Sequence, residues 1–184
     1  MNHPIPICEA YLRSDGKKGI RNKVLIIYTV ECSKHVAESI SIHFQEQGQD
    51  VDVIGSLACL DNQSIIQRLL AYCVHPNVGA VLIVGHGCEY IEPAKIRDFA
   101  IKHGRLAESF FLQDVGGTTA GITLGCNIVE NMLDQLQHVP KTTMYQHELI
   151  IGAKCGGSDF TSGIAGNAVI GRLFEYHTGQ GGIA

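Results

Sequence analysis

Three cysteines stand where chemistry is easiest to build. Cys32, Cys88 and Cys155 each follow an apolar run that reads as a β-strand, and each lies in a short polar stretch: Glu31-Cys-Ser33, Gly85-His-Gly-Cys-Glu89 and Lys154-Cys-Gly-Gly-Ser-Asp159. Cys59 follows a weaker run, Val51-Asp-Val-Ile54. Thiolates from separate loops hold iron–sulfur clusters and soft metals. Three such ligands leave one iron open as a Lewis acid toward a hydroxyl or carboxylate. The alternative is that these cysteines are small buried hydrophobes. That is also the reading preferred for Cys8, Cys73 and Cys126, which fall in the terminus and in helix-like segments. Gly116-Gly117-Thr118, leading into a helix, and Cys155-Gly156-Gly157-Ser158-Asp159 can present backbone N–H groups to a carboxylate or phosphate. His86 between two glycines, and His35 just after Cys32, are available as bases or ligands.

Several chemistries are excluded by spacing. There is no Gly-x-Gly-x-x-Gly and no phosphate-loop Gly-Lys-Ser/Thr, so a nucleotide site is unsupported. No Cys-x-x-Cys and no helical His pair suggests zinc. Ser33 and Ser158 lack the Gly-x-Ser-x-Gly elbow of a serine hydrolase.

The elements that must position these residues follow from periodicity. Runs at 23–30 and 78–84 are continuous and β-branched, as in strands buried on both faces of a parallel sheet. Shorter strands are expected at 51–54, 108–112 and 148–152. Helices are expected at 36–47, after an Asn62 or Ser64 cap, at 93–103 with Pro93 in the first turn, at 119–136 and at 163–176. Asp15-Gly16 marks a turn. Strands alternating with helices predict an α/β fold of three layers, a mostly parallel sheet with helices on both faces, Rossmann-like. Its strand ends would lie along one edge, where ligands of open α/β sheets bind.

The chain has 184 residues, 45% hydrophobic and 17% charged, with a net charge of −4. That supplies a core and argues against disorder. Mild acidity argues against nucleic acid, and no apolar run reaches the roughly 18 residues of a membrane span. Neither a membrane nor a nucleic-acid partner is expected, and the N-terminus does not read as a secretory signal. Seven scattered cysteines, an odd number, suit a reducing cytoplasm better than a disulfide scaffold.

Taken in order, the turns resemble the sugar-acid dehydratases, the altronate and galactarate dehydratase family with the related sulfolactate sulfo-lyase large subunit. The stretches are Tyr11-Leu-Arg-Ser-Asp-Gly-Lys-Lys-Gly-Ile-Arg-Asn22, Thr29-Val-Glu-Cys-Ser33, His75-Pro-Asn-Val-Gly-Ala-Val-Leu-Ile-Val84, Gly85-His-Gly-Cys-Glu89, Gln113-Asp-Val-Gly-Gly-Thr118, Lys154-Cys-Gly-Gly-Ser-Asp159 and Ser162-Gly-Ile164 with Asn167. His86 stands where the family usually carries Leu, and Gly55-Ser-Leu-Ala-Cys59 where it carries a His and a Gly-Cys pair.

The resemblance implies one α/β domain over 1–184, matching the N-terminal half of the dehydratase core with the family's C-terminal half absent. It implies an iron-dependent hydro-lyase that eliminates water from an aldonate or aldarate to give a 2-keto-3-deoxy acid. The alternative is a non-catalytic carboxylate-binding module or subunit that needs a partner chain. The iron, as Fe(II) or an iron–sulfur cluster, would be held by Cys32, Cys88 and Cys155. Glu89 and Asp159 would serve as oxygen ligands or fix neighbouring loops. Arg13, Arg21, Gln113, Gly117, Thr118, Gly157, Ser158 and Ser162 would contact the sugar acid, and Lys154 or His86 would be the base. A homo-oligomer, or the missing half, would be the protein partner.

Overall fold

The computed structural model describes residues 5–60, 62–154, 156–157 and 159–184. They group into two compact units, Tyr11–Pro140 and Met1–Ala10 with Lys141–Ala184.

The larger unit begins with the end of β1 (Pro6–Leu12), where Tyr11 and Leu12 pair antiparallel with Gly19 and Lys18 of β2 (Lys18–Gly19). A doubly wound unit follows: β3 (Lys23–Tyr28), α1 (Glu31–Gln45), β4 (Val51–Gly55), α2 (Gln63–Cys73), β5 (Val78–Gly85), α3 (Pro93–Lys102), β6 (Leu106–Phe111) and α4 (Thr118–Gln137). The four strands are parallel in the order β4-β3-β5-β6. The three-layer α/β expectation is borne out. Among doubly wound sheets the order is the 2-1-3-4 arrangement, whose direction of winding reverses between the first and third strands, here β3 and β5.

Alternation along the strands explains the two faces. Val24, Ile26 and Tyr28 of β3, with Ala80, Leu82 and Val84 of β5, pack against Val36, Ile40 and Phe44 of α1 and Val129, Met132 and Leu136 of α4. Leu25, Ile27, Val81 and Ile83 face the other way, toward Leu69 and Cys73 of α2 and Ile96 and Ala100 of α3. All eight residues of β5 are buried. Each such aliphatic side chain contributes about 2 kcal/mol of burial, so the unbroken apolar runs are what two-sided coverage requires.

The helix boundaries refine the sequence expectations. Asn62 caps α2, its Oδ1 accepting from Ser64 N at 3.0 Å and Ile65 N at 3.3 Å. α1 starts at Glu31, five residues before the expected Val36. Buried Ser33 donates to the carbonyls of Val30 and Val84, both at 2.9 Å, which ties the first turn of the helix to β5.

The smaller unit holds β7 (Lys141–Tyr145), a 3₁₀ turn at Gln146–Glu148, a wide π turn at Ser162–Gly166 and α5 (Asn167–Gly179). β7 lies beside β1. The expected strand at 148–152 is a correction. The Glu148 carboxylate folds back to accept from Tyr145 N at 2.9 Å, which makes Glu148 the end of a turn. Beyond it Ile150 makes only a single bridge, to Ile183. Buried His177 fastens this segment through Nε2 to the Leu149 carbonyl at 2.9 Å.

Candidate functional site

The carboxyl edge of the four-stranded sheet gathers the chemistry of the larger unit. Register sets Tyr28 opposite both Gly55 and Val84, and Gly85 opposite Phe111. The segments that follow therefore emerge side by side: Thr29 to Cys32, Ser56 to Cys59, His86 to Tyr90 and Leu112 to Thr118. The crevice between β3 and β5 is the switch point at which such sheets bind ligands. Cys32, in the first turn of α1, and Cys88 flank it, and both are exposed.

The turn that carries Cys88 is braced from within. Glu89 Oε1 accepts from Thr29 Oγ1 at 2.6 Å and from His86 N at 2.9 Å, and Oε2 accepts from Gly87 N at 2.8 Å and Cys88 N at 3.0 Å. Partial burial pushes this carboxyl up, but the Thr29 hydroxyl and the backbone N–H groups outweigh burial and hold it below its ordinary value. Glu89 is thus engaged on both oxygens as the clasp of its own loop. Thr29 gave no chemical signal in the sequence beyond being a hydroxyl at the end of a buried strand.

Glycine is required on either side of His86. A Cβ at Gly85 would stand 2.6 Å from Glu89 Oε1 and 2.7 Å from Phe111 Cδ1, and Gly87 adopts φ +125° with Gln113 against it. Gln113 in turn donates its N–H to the His86 carbonyl at 3.1 Å. Gln113 therefore lies beside the Cys88 turn, and exposed Thr118 opens α4 just beyond. Gly117, at φ 94°, is the N-cap of α4, and neither α4 nor α1 has a side-chain cap. Two helix N-termini thus present open N–H groups at this edge.

The thiols separate by environment. Loss of solvent, then neighbouring Cys59, Glu89 and Cys32, raise the Cys88 thiol. Cys73 is buried in the core and pushed up to about 12 by burial, as packing predicts. Among the described residues no three His, Cys, Asp or Glu side chains are drawn closely enough together to hold a metal ion. Cys32 and Cys88 are exposed on adjacent strand ends, and His86 Nδ1 is buried without a hydrogen-bond partner.

The two arginines lie apart from these turns. Their partners Pro76, Asn22 and Asp50 put both at the amino edge of the sheet. Arg13 is 8% exposed and donates to Pro76 O at 2.6 Å, Asn22 Oδ1 at 2.9 Å and Arg21 O at 3.1 Å. Burial, then nearby Arg105, lower its pKa to about 10. Arg21 pairs with Asp50 at 3.3 Å. These guanidinium groups join the segments entering β3, β4 and β5, and they are remote from the thiol edge by the length of the strands.

In the smaller unit, Lys154, Gly157 and Asp159 are exposed and Ser162 is half-buried. Asp159 Oδ1 accepts from Thr161 N at 2.7 Å, from Thr161 Oγ1 and from Ser162 N at 3.1 Å. The Thr161 hydroxyl and these N–H groups hold its pKa low. It caps the turn that enters α5. Cys155 and Ser158 lie outside the described residues, and the strand expected to deliver Cys155 to a sheet edge is not formed.

Comparison with known proteins matches both units. Residues 10–137 match the family model described as D-galactarate dehydratase/altronate hydrolase, second domain, and residues 146–184 match D-galactarate/altronate dehydratase, C-terminal. The break between the two matches falls at the boundary between the compact units. The chain is 33% identical to an altronate dehydratase of Bacillus subtilis over 95% of its own length and 37% of the relative's. It is 28% identical to an altronate dehydratase of Escherichia coli over the same shares. With the (2R)-sulfolactate sulfo-lyase subunit beta of Chromohalobacter salexigens it shares 28% identity over 93% of this chain and 43% of that one. The chain thus spans well under half the length of these relatives.

Proposed function

Because this chain belongs to the D-galactarate/altronate dehydratase family, we propose that it contributes the carboxyl-edge part of a hydro-lyase site for a sugar acid. The relatives are named dehydratases and a sulfo-lyase subunit, and elimination next to a carboxylate is the chemistry those names share. The observation that carries the reading is the set of strand-end turns, with thiols, open helix N-termini and a braced Glu89 on one edge.

In this reading, Gly117, Thr118 and Gln113 receive the substrate carboxylate or hydroxyls. The open N–H groups of α4 supply positive potential where negative charge develops. A base removes the proton next to the carboxylate, and the neighbouring hydroxyl leaves as water, giving a 2-keto-3-deoxy acid after tautomerisation. His86 is the base candidate on the described edge, because its Nδ1 is not tied to another group. Lys154 remains the candidate from the smaller unit, where Gly157, Ser158 and Ser162 would add substrate contacts. Cys32 and Cys88 would hold iron on this edge, and iron would supply Lewis acidity toward the leaving hydroxyl. Glu89 would fix the turn that carries Cys88, and Asp159 fixes its own turn in the smaller unit. Six free thiols among the described residues suit a reducing cytoplasm. No helix of the described residues is long and apolar enough to cross a membrane.

The second reading is a carboxylate-binding subunit completed by more chain. It is favoured by the chain spanning 37% of the altronate dehydratases, by one relative being named a subunit and by α5 exposing Val169, Leu173 and Tyr176. One experiment separates the two. Protein purified without oxygen and supplied with Fe(II) is offered aldonates and aldarates, and 2-keto acid is measured. Turnover establishes the hydro-lyase. Carboxylate binding without turnover establishes the subunit.

A further inference from the structure

We propose that Cys59 and Cys88 form an oxidative modification site, joined by a reversible disulfide when the chain meets a hydroperoxide. The proposal does not depend on the reading that the edge holds iron. Both thiols are free in the structure.

A disulfide needs its two Cα atoms within about 7 Å of each other. β4 and β5 are not neighbours, because β3 lies between them, and strands about 4.8 Å apart would leave their ends about 10 Å apart. The loop after β4 closes that gap. Buried Ser56 donates its N–H to the Tyr28 carbonyl at 3.0 Å, which continues the β3–β4 ladder one residue past the strand. Its hydroxyl accepts from Ala58 N at 3.3 Å, turning the chain back over the edge. The Cys59 carbonyl then accepts from Tyr90 N at 3.1 Å, a direct backbone bond between Cys59 and the turn that carries Cys88. On the other side Glu89 Oε2 accepts from Cys88 N at 3.0 Å and holds that turn in place.

Both cysteines are exposed beyond this junction, where a small oxidant in solution reaches them. Cys73, fully buried in the core, is out of such reach. After loss of solvent, Cys59 does most to raise the Cys88 thiol, ahead of adjoining Glu89 and of Cys32. Cys59 is therefore the favoured partner, although Cys32 follows the strand next to β5.

The chemistry balances with the hydroperoxide as the oxidant. One thiolate attacks a peroxide oxygen: an S–O bond forms, the O–O bond breaks, and the departing oxygen takes up a proton, leaving a sulfenic acid. The other thiolate attacks that sulfur: the S–S bond forms, the S–O bond breaks and water leaves. Overall each sulfur gives up one electron and each peroxide oxygen gains one. A thiol reductant reverses the product. While the bridge stands, Cys88 offers no thiolate to anything at the edge.

The test uses the full chain, reduced, freed of metal with a chelator and treated with equimolar hydrogen peroxide. Digestion without reductant and mass spectrometry should show the Cys59 peptide joined to the Cys88 peptide. Two thiols should be lost per chain, and dithiothreitol should restore both. The joined peptide should vanish in Cys59→Ser and Cys88→Ser and persist in Cys32→Ser and Cys8→Ser. Unaltered far-ultraviolet circular dichroism in each variant separates loss of the partner from misfolding. The same treatment in denaturant should scatter links over many cysteine pairs, which would show that the fold selects this one. Joining of Cys88 to any other cysteine of the folded chain, links between chains alone, or sulfinic acid at both sulfurs without a link would overturn the proposal. Each of those results leaves sugar-acid turnover by the iron-supplied chain to be decided by its own assay.

Discussion

The two edges of one parallel sheet have been put to opposite uses. At the amino edge the polar side chains around β3 are spent on the chain itself: Arg13 donates to Pro76, Asn22 and Arg21, Asn22 donates onward to the Leu136 carbonyl at 3.1 Å, and Arg21 pairs with Asp50. At the carboxyl edge the backbone is equally well fastened, through Glu89, Ser33 and Ser56, but the side chains carried on it are left unspent. Exposed sulfurs, an unpartnered imidazole nitrogen and two uncapped helix N-termini stand there together. The difference teaches that charge is a poor guide to function in this molecule. Arg13, 8% exposed, is structural, and the carboxyl edge displays thiols and an imidazole rather than cations.

That contrast can be broken or sharpened by substitution. The largest effect belongs to Arg13→Ala, which strands two carbonyls and an amide at a site 8% exposed. It should cost about 3 kcal/mol of stability, read by denaturant unfolding, while the reactivity of the exposed thiols toward a maleimide in the native state stays unchanged. Loss of thiol reactivity in that variant would mean that the edges are not independent. Gly85→Ala comes next. Its methyl meets Glu89, Phe111 and Pro93, so it should destabilise by about 2 kcal/mol and change thiol reactivity as well, which Arg13→Ala should not.

Glu89→Gln should cost about 1 kcal/mol at neutral pH, because the exposed half of the group is screened by solvent. The sign of its pH dependence follows from the depressed pKa. The stabilisation is present above the ordinary carboxylate value of 4.5 and is lost as pH falls through the lower folded value. The wild-type advantage over Glu89→Gln should therefore shrink on acidification, and an advantage that grew would refute the clasp. Smallest of all, Arg21→Ala removes one exposed ion pair with Asp50 and should cost under about 0.5 kcal/mol. A larger loss would make Arg21 structural as Arg13 is.

Much of this was legible in the sequence, and unevenly so. β3 and β5 were plain because two-sided burial demands unbroken apolar runs. The true start of α1 is hidden because Cys32 and Ser33 resemble loop residues, and only the Ser33 bond to the Val84 carbonyl marks the first turn. β1 and β7 carry no clear strand signal, since most of β1 is exposed and carries Pro6, and β7 has one buried residue, Met144. The false strand at 148–152 rested on Leu149-Ile-Ile, an apolar run with no sheet to join. At the site, the positions of Cys32 and Cys88 followed directly from the strands before them. The arginines did not: a basic turn ahead of β3 does not say whether its side chains point along the edge they enter or toward the far one. Only the contacts with Pro76 and Asp50 decide that.

The Glu89 clasp has a thermodynamic consequence for anything the edge receives. A turn held by four hydrogen bonds to one carboxylate gives up its backbone freedom when the chain folds, and none of that loss falls on the later step of association. Whatever arrives at Cys88 meets a backbone already arranged, with only the rotation of a single sulfur left to settle. Recognition at this turn should resemble a lock already cut. Its free and occupied backbones should superimpose, and hydrogen exchange at Gly87 and Cys88 should be slow before any ligand is added.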